Sequence, residues 1–447
     1  MEQDLTTGSV FKRIVYFSLP YLLSYFLQTL YGMADLFITG QFYGVDTITA
    51  VSNGSQIMHM MTVIIVGLAM GTTVTIGHSV GAKCMEQAEK IIGNTITLFM
   101  GIAVAFTVIL VVLVKPIVVL IATPQEAVAG TSIYLLICFI GIPFITAYNI
   151  ISSIFRGLGD SKSPMYFIGI ACVMNIALDY LFMGAFHMGA AGAALGTVCA
   201  QTFSVLVALW VIRRRKTGIS LKKSDFKIER AVIGQVLKIG IPVALQDGFI
   251  QVAFMIITVI ANSRGVSDAA AVGVVEKVIS ALFIVPSSML ATVSALSAQN
   301  LGAGKEKRAT DTLRYATVIT TIYGMIVAVL IQFIAENVVG IFTSDTTVVT
   351  MGSAYIHSYI WDCIFAGIHS SFSGYFAACG KSYIGFLHNI ISITFVRVPG
   401  SYLASKYFTD TLYPMGLAAP AGSLVSVAIC VTAFILLKRK SRVAQTA

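Results

Sequence analysis

Residues 18–40 read SLPYLLSYFLQTLYGMADLFITG. A single charge, Asp35, interrupts an otherwise uncharged stretch long enough to cross a bilayer as a helix. Similar runs recur along all 447 residues. The chain is 57% hydrophobic and only 11% charged, with a mean hydropathy of +0.87. A soluble chain would carry about a quarter charged residues. The pattern predicts a polytopic, all-α integral membrane protein. A transmembrane β-barrel would show short alternating segments instead.

Twelve spans are expected. They start near Ile14, Thr47, Ile91, Ala127, Met165 and Gly189, then near Lys238, Asp268, Asp311, Thr347, Tyr383 and Thr411. The first apolar run continues into a full span, so no cleavable signal peptide is expected. The net charge of +9 is a topology signal and no sign of nucleic-acid binding. With the N-terminus inside, inner loops and tails hold 24 of the 29 Lys and Arg residues, and the outer loops hold only Lys115, Arg264 and Lys406. This asymmetry predicts a multi-pass protein of the cell (inner) membrane with both termini in the cytoplasm. The seven cysteines have no paired spacing and read as small packing residues, with no disulfide framework and no metal site.

The opening stretch has a partner. SLPYLLS around Pro20 matches GIPVALQ around Pro242. GHSVGAK (77–83) returns in SAQNLGAGK (297–305), RGLGDS (156–161) in AACGKS (377–382), and MGAAGAA (188–194) in MGLAAPA (415–421). The order is kept and the offset is nearly constant, so a six-helix unit is used twice. Six is even, so both copies have one orientation, as in parallel-repeat transporters. The expected division is an N-terminal bundle over 1–212, a basic cytoplasmic linker over 213–236 that includes Arg215 and Lys216, and a C-terminal bundle over 237–447.

Five acids fall within spans: Asp35, Asp179, Asp247, Glu276 and Asp362. Each costs about 2.5–3.5 kcal/mol at mid-membrane, so each needs a partner or a task. Counting from the expected outer ends of spans 1 and 5, Asp35 and Asp179 lie at one depth, roughly 10–12 Å below the outer surface. Asn175 shares the helix face of Asp179. Two carboxylates in one poorly solvated pocket repel, so the pair is expected to hold a proton or a small hard cation such as Na⁺. The competing reading is that each satisfies a neighbouring hydroxyl or backbone group. No base falls within the first six spans, and neither acid recurs in the second copy. There, Asp247, Asp362 and Arg397 fall near mid-depth, either as a buried ion-pair network or as part of a substrate cavity. Glu276 lies nearer the outer surface beside Lys277, a local pair. Met58, Met60, Met61 and Met70 on span 2 suit an adaptable cavity wall or ordinary core, and Met58 and Met61 are the cavity candidates.

Taken together, the twelve spans in two copies, the span 1 stretch, GLGDSKSP, NIALD, MGAAGAALGT and AQNLGAGK resemble the multidrug and toxic compound extrusion (MATE) transporters of the bacterial multidrug-efflux type. The resemblance implies two six-helix bundles in a V around a central cavity. It implies export of cationic or amphipathic small molecules by alternating access, driven by H⁺ or Na⁺, without other cofactors. Onto this sequence it carries a cation site of Asp35, Asn175, Asp179, Thr197 and Tyr134, with Pro20 as a bending point in span 1. A static kink at Pro20 is the other reading. The chain is expected to act as a monomer among membrane lipids. One branch of the family has essential acids on spans 7 and 10, but Asp247 and Asp362 do not align with them convincingly.

Two other functions compete. A lipid-linked oligosaccharide flippase shares this type of architecture, but a diphosphate headgroup calls for several bases in the cavity, and only Arg397 and Lys277 fall within spans. An intramembrane aspartyl protease would use GLGD (157–160), yet Asp160 is followed by SKSP in a polar loop. GAGKEKR (302–308) lacks the P-loop spacing, so the chain is read as a secondary transporter and not an enzyme.

Overall fold

The computed structural model describes residues 4–214 and 220–446. Arg215 and Lys216 of the expected linker lie outside the described residues. Helices make up almost all of the described chain, and no strand occurs among the described residues. Reading helices across short breaks gives twelve spans. Spans 1 to 3 are Val10–Phe42, Val45–Gly81 and Met85–Leu120. Span 4 is Gln125–Ile140 plus Ile142–Gly157, bent by 51° at Gly141. Spans 5 and 6 are Lys162–Ala185 and Gly189–Arg214. Span 7 is Arg230–Asn262, span 8 is Val266–Gly302 and span 9 is Glu306–Gly340. Span 10 joins Thr346–Tyr359 to Asp362–Ala378, and span 11 runs from Tyr383–Ser392 through Ile393–Arg397 to Val398–Tyr407. Span 12 is Tyr413–Gly416 with Ala418–Thr446.

Among the described residues, eight helices are long and apolar enough to cross a membrane singly, and the bent pair of span 4 makes a ninth. Spans 10 and 11 are built from pieces too short to qualify alone. The hydropathy of span 1 is diluted by Ser18, Ser24, Gln28, Thr29, Asp35 and Thr39. Lipid-facing stripes are visible where a helix has one outer side. Val104, Val108 and Val112 on span 3, and Ile322, Ile326, Val329 and Phe333 on span 9, are exposed at helical spacing.

The chain forms two compact units, one built on Val15–Ala244 and the other on Leu245–Leu301 with Lys305–Ala447. In the first, Ile38, Val51, Met58, Tyr134, Leu135, Phe139 and Met183 form one core, with further cores around Phe99 and Phe167. Gly67 and Gly71 of span 2 meet Ala244, Val236 and Gly240 of span 7 backbone to backbone, so no side chain could be added there. Such close approach of small residues gives apolar helices their contact area in lipid, where burial alone supplies no drive. The second unit packs spans 8, 9, 10 and 12 around Val275, Ile331, Val339, Ile356, Ile360 and Met415.

Span 5 holds the irregularity that matters for the site. Its α-helix ends at Asp179 and continues as a π-helical turn, Tyr180–Ala185. π-turns widen the hydrogen-bond ladder by one residue and recur at functional positions. Span 6 then starts at Gly189, whose φ of +57° is reached most cheaply by glycine.

Candidate functional site

Span 1 presents Tyr31, Asp35 and Thr39 one turn apart on one face. Asp35 is 2% exposed, and Thr39 Oγ1 donates to its backbone carbonyl at 2.6 Å, leaving the carboxylate free to face the bundle. Span 5 brings Asn175 and Asp179, 1% and 0% exposed. Span 6 brings Gly196 and Thr197. The Asp179 carboxylate lies against Gly196 where any side chain would collide with Oδ1. Thr197 Oγ1 donates to Asp35 Oδ2 at 3.3 Å.

The structure therefore brings together Asp35, Asp179, Asn175 and Thr197. Asp35 faces Asp179 and Asn175 in direct polar contact. Most of the polar atoms in this contact are unsatisfied. Asp35 Oδ1, both Asp179 oxygens and both polar atoms of Asn175 are buried without an aligned hydrogen bond. No basic side chain of the described residues enters the cluster. Two unit charges at about 4 Å repel by roughly 4 kcal/mol at an effective dielectric of 20. A proton shared between the carboxylates relieves that repulsion. So does a hard cation held by the two carboxylates, the Asn175 carbonyl oxygen and the Thr197 hydroxyl, all oxygen donors.

Tyr134 is buried beside this cluster on span 4 but turns its hydroxyl to Ser55 Oγ of span 2, at 3.0 Å. Its ring covers Gly54, which has no room for a side chain. Pro20 lies within an unbroken span 1, and Ser24 Oγ donates to its carbonyl at 2.8 Å. Met58 packs in the same core as Tyr134, and Met61 is half-buried. Sequence reasoning missed Tyr31 and Gln201, which lie together beside Asp35. The four-residue spacing was a usable signal, since Tyr31 precedes Asp35 by one turn and Gln201 follows Thr197 by one turn.

In the second unit, Asp362 and Arg397 are buried near each other, while Asp247 is half-buried on span 7 and joins neither. Glu276 corrects an expectation. Lys277 is exposed and forms no ion pair with it among the described residues. Adjacent residues on a helix point about 100° apart, so Glu276 turns inward toward Arg397 and accepts from Thr258 Oγ1 at 3.4 Å. Asp160 of GLGD is committed as a helix cap. It accepts from the backbone N–H of Lys162 and Ser163 at 2.9 and 3.0 Å.

Comparison with known proteins fits this arrangement. The MatE family profile matches residues 20–181 and again 242–403. The chain belongs to the MatE family. The two MatE matches are displaced by 222 residues, the offset of the internal repeat. Among MatE relatives, the chain is 30% identical over 415 residues to the probable multidrug resistance protein YpnP of Bacillus subtilis (strain 168), covering 93% of each chain. It is 26% identical to the probable multidrug resistance protein YoeA of the same strain, over 95% of this chain and 93% of that one. A crystal structure of MATE in the bent conformation shares the fold with a TM-score of 0.91, at 21% identity and 98% coverage of both chains. The twelve helices in two repeats are thus the MatE fold, in a multipass membrane protein.

Proposed function

We propose that this MatE protein is a secondary antiporter that exports cationic and amphipathic small molecules in exchange for H⁺ or Na⁺ bound between Asp35 and Asp179. The observation that carries the reading is the pairing of these two buried carboxylates with no base among the described residues and with most of their oxygens lacking a hydrogen bond. An arrangement of this kind is costly unless it is loaded, and loading changes its hydrogen bonding. Relatives named multidrug resistance and multidrug export proteins support the substrate class.

Loading neutralises Asp35 and lets spans 1, 5 and 6 close together; unloading restores repulsion and drives them apart. Such a site biases a two-state equilibrium by its differential affinity for the ion. Span 1 carries both Asp35 and Pro20, so a change in its bend at Pro20 passes the bias along the helix. In this reading both termini lie on the cytoplasmic side of a bacterial inner membrane. One charge crossing 100 mV supplies about 2.3 kcal/mol. That sustains a roughly fiftyfold substrate gradient, at about 1.4 kcal/mol per tenfold. One-for-one exchange of H⁺ against a monovalent cation moves no net charge, and then the pH gradient does the work.

The test is efflux of a fluorescent organic cation from proteoliposomes with ΔpH and a Na⁺ gradient imposed separately. One gradient is expected to drive efflux in the wild type. Asp35→Asn and Asp179→Asn, folded by size-exclusion chromatography, are expected to lose that dependence. Gradient-driven efflux at the wild-type rate in both variants contradicts the reading.

A further inference from the structure

The acids of the second unit have company that those of the first lack. Arg397 ends the π-helical segment Ile393–Arg397 of span 11 and is 9% exposed. Its guanidinium lies 4.9 Å from the ring centre of Phe254 on span 7 and 5.5 Å from that of Tyr359 on span 10. Nη2 donates to the Tyr359 hydroxyl. Asp362 opens the second helix of span 10, fully buried, with Ser423 of span 12 in polar contact. Asp362 and Glu276 both lie in the field of Arg397, and neither touches it in a direct ion pair among the described residues. Tyr355 and His369 complete the groups facing Arg397. The rings of His369 and His388 meet tilted, with centres 5.4 Å apart, and His388 Nε2 is 2.8 Å from Ser373 Oγ.

The repeat relates this cluster to the first one. Arg397 stands 222 residues after Asn175, the displacement between the two family matches. Span 5 and span 11 each carry a π-helical turn, Tyr180–Ala185 after Asn175 and Ile393–Arg397 ending on Arg397, at different places in the repeat. Span 5 offers an amide and a carboxylate to Asp35, with no base. Span 11 offers a guanidinium to two acids. A guanidinium stays charged at every physiological pH, and two aromatic faces hold it in place of water.

Resting on the proposed reading of the first unit as an ion site, we propose that Arg397 is a tethered counter-ion. It does for Asp362 and Glu276 what an exchangeable H⁺ or Na⁺ does for Asp35 and Asp179. Being covalently attached, it cannot leave. The cluster around Arg397 therefore takes no coupling ion, and the ion held between acidic side chains is set in the first unit. A substrate carboxylate is not the partner of Arg397, because two acids against one base leave the cluster negative.

Cation counting on the purified full-length protein tests this, with radiolabelled Na⁺ and, in parallel, proton uptake on a pH step. Arg397→Met is expected to bind one more cation per protein than the wild type. Adding Asp362→Asn is expected to return the count to the wild-type value. No gain in Arg397→Met overturns the proposal. So does a wild-type count that drops with Asp362→Asn alone, since the second unit would then already hold an exchangeable ion. If Arg397→Met aggregates, the triple variant Arg397→Met/Asp362→Asn/Glu276→Gln removes the acids with their counter-ion. It is expected to fold and to keep gradient-driven efflux; a triple variant without coupled efflux overturns the proposal. The readout sits at residues 362 and 397, so it is separate from the first unit. Failure of the first-unit reading appears instead as a count that Asp35→Asn leaves unchanged.

Discussion

In the first unit Asp35 and Asp179 face each other with no base beside them among the described residues, while in the second Asp362 and Glu276 share the field of Arg397. Both clusters are buried, both draw on the fifth span of their repeat, and both have a π-helical turn there. The helix order is reused and the charge is not. Shared packing explains what recurs, such as Pro20 and Pro242 inside the first helix of each copy. The difference in charge marks where the copies diverged in task. A cluster with a fixed base carries its own counter-charge; a cluster of acids alone waits for a mobile cation.

The largest effect is expected from removing the mobile half of this contrast. Asp35→Asn/Asp179→Asn should reduce gradient-driven efflux to background in proteoliposomes while leaving the thermal midpoint unchanged or higher, because the repulsion is gone. Next is Arg397→Met. Stripping a buried charge cluster of its guanidinium costs about 3–5 kcal/mol. Chemical or thermal unfolding in detergent should show that loss, and Asp362→Asn should recover most of it. A similar loss from Asp35→Asn would erase the contrast between the units.

Gly196→Ala comes third. The added methyl group meets the Asp179 carboxylate, and overpacking of this kind costs about 1–3 kcal/mol. The expected readout is a roughly tenfold weaker apparent cation affinity, with Gly192→Ala as the comparison beside Met183. Thr197→Val removes the hydroxyl that donates to Asp35 at 3.3 Å. It should cost about 1 kcal/mol, or roughly a fivefold loss in cation affinity. Tyr134→Phe should matter least. Its hydroxyl is paired with Ser55, so cation affinity should stay within about twofold of wild type.

Much of this was legible in the chain. Apolar run lengths placed helices close to their observed starts, and matched segments around Pro20 and Pro242 disclosed the repeat, because span length and repeat order are written locally. Counting residues from the expected helix ends put Asp35 and Asp179 at one depth, and they do meet. What the sequence withheld is rotational. Depth says nothing of which way Tyr134 turns, and its hydroxyl goes to Ser55. Adjacency suggested Glu276 with Lys277, yet the helix turns one inward and the other outward. The π-turn after Asp179 has no simple composition signal, and the fit of Gly196 against Asp179 emerges only when spans 5 and 6 pack.

The central claim is that Asp35 and Asp179 hold one ion jointly, and a double-mutant cycle on cation binding addresses it directly. Bound Na⁺ and proton uptake would be measured for the wild type, Asp35→Asn, Asp179→Asn and the double variant. A shared ion predicts that either single substitution removes the binding event and that the double variant is no worse than either single. Losses that add, each single substitution leaving one separate ion behind, would contradict a joint site.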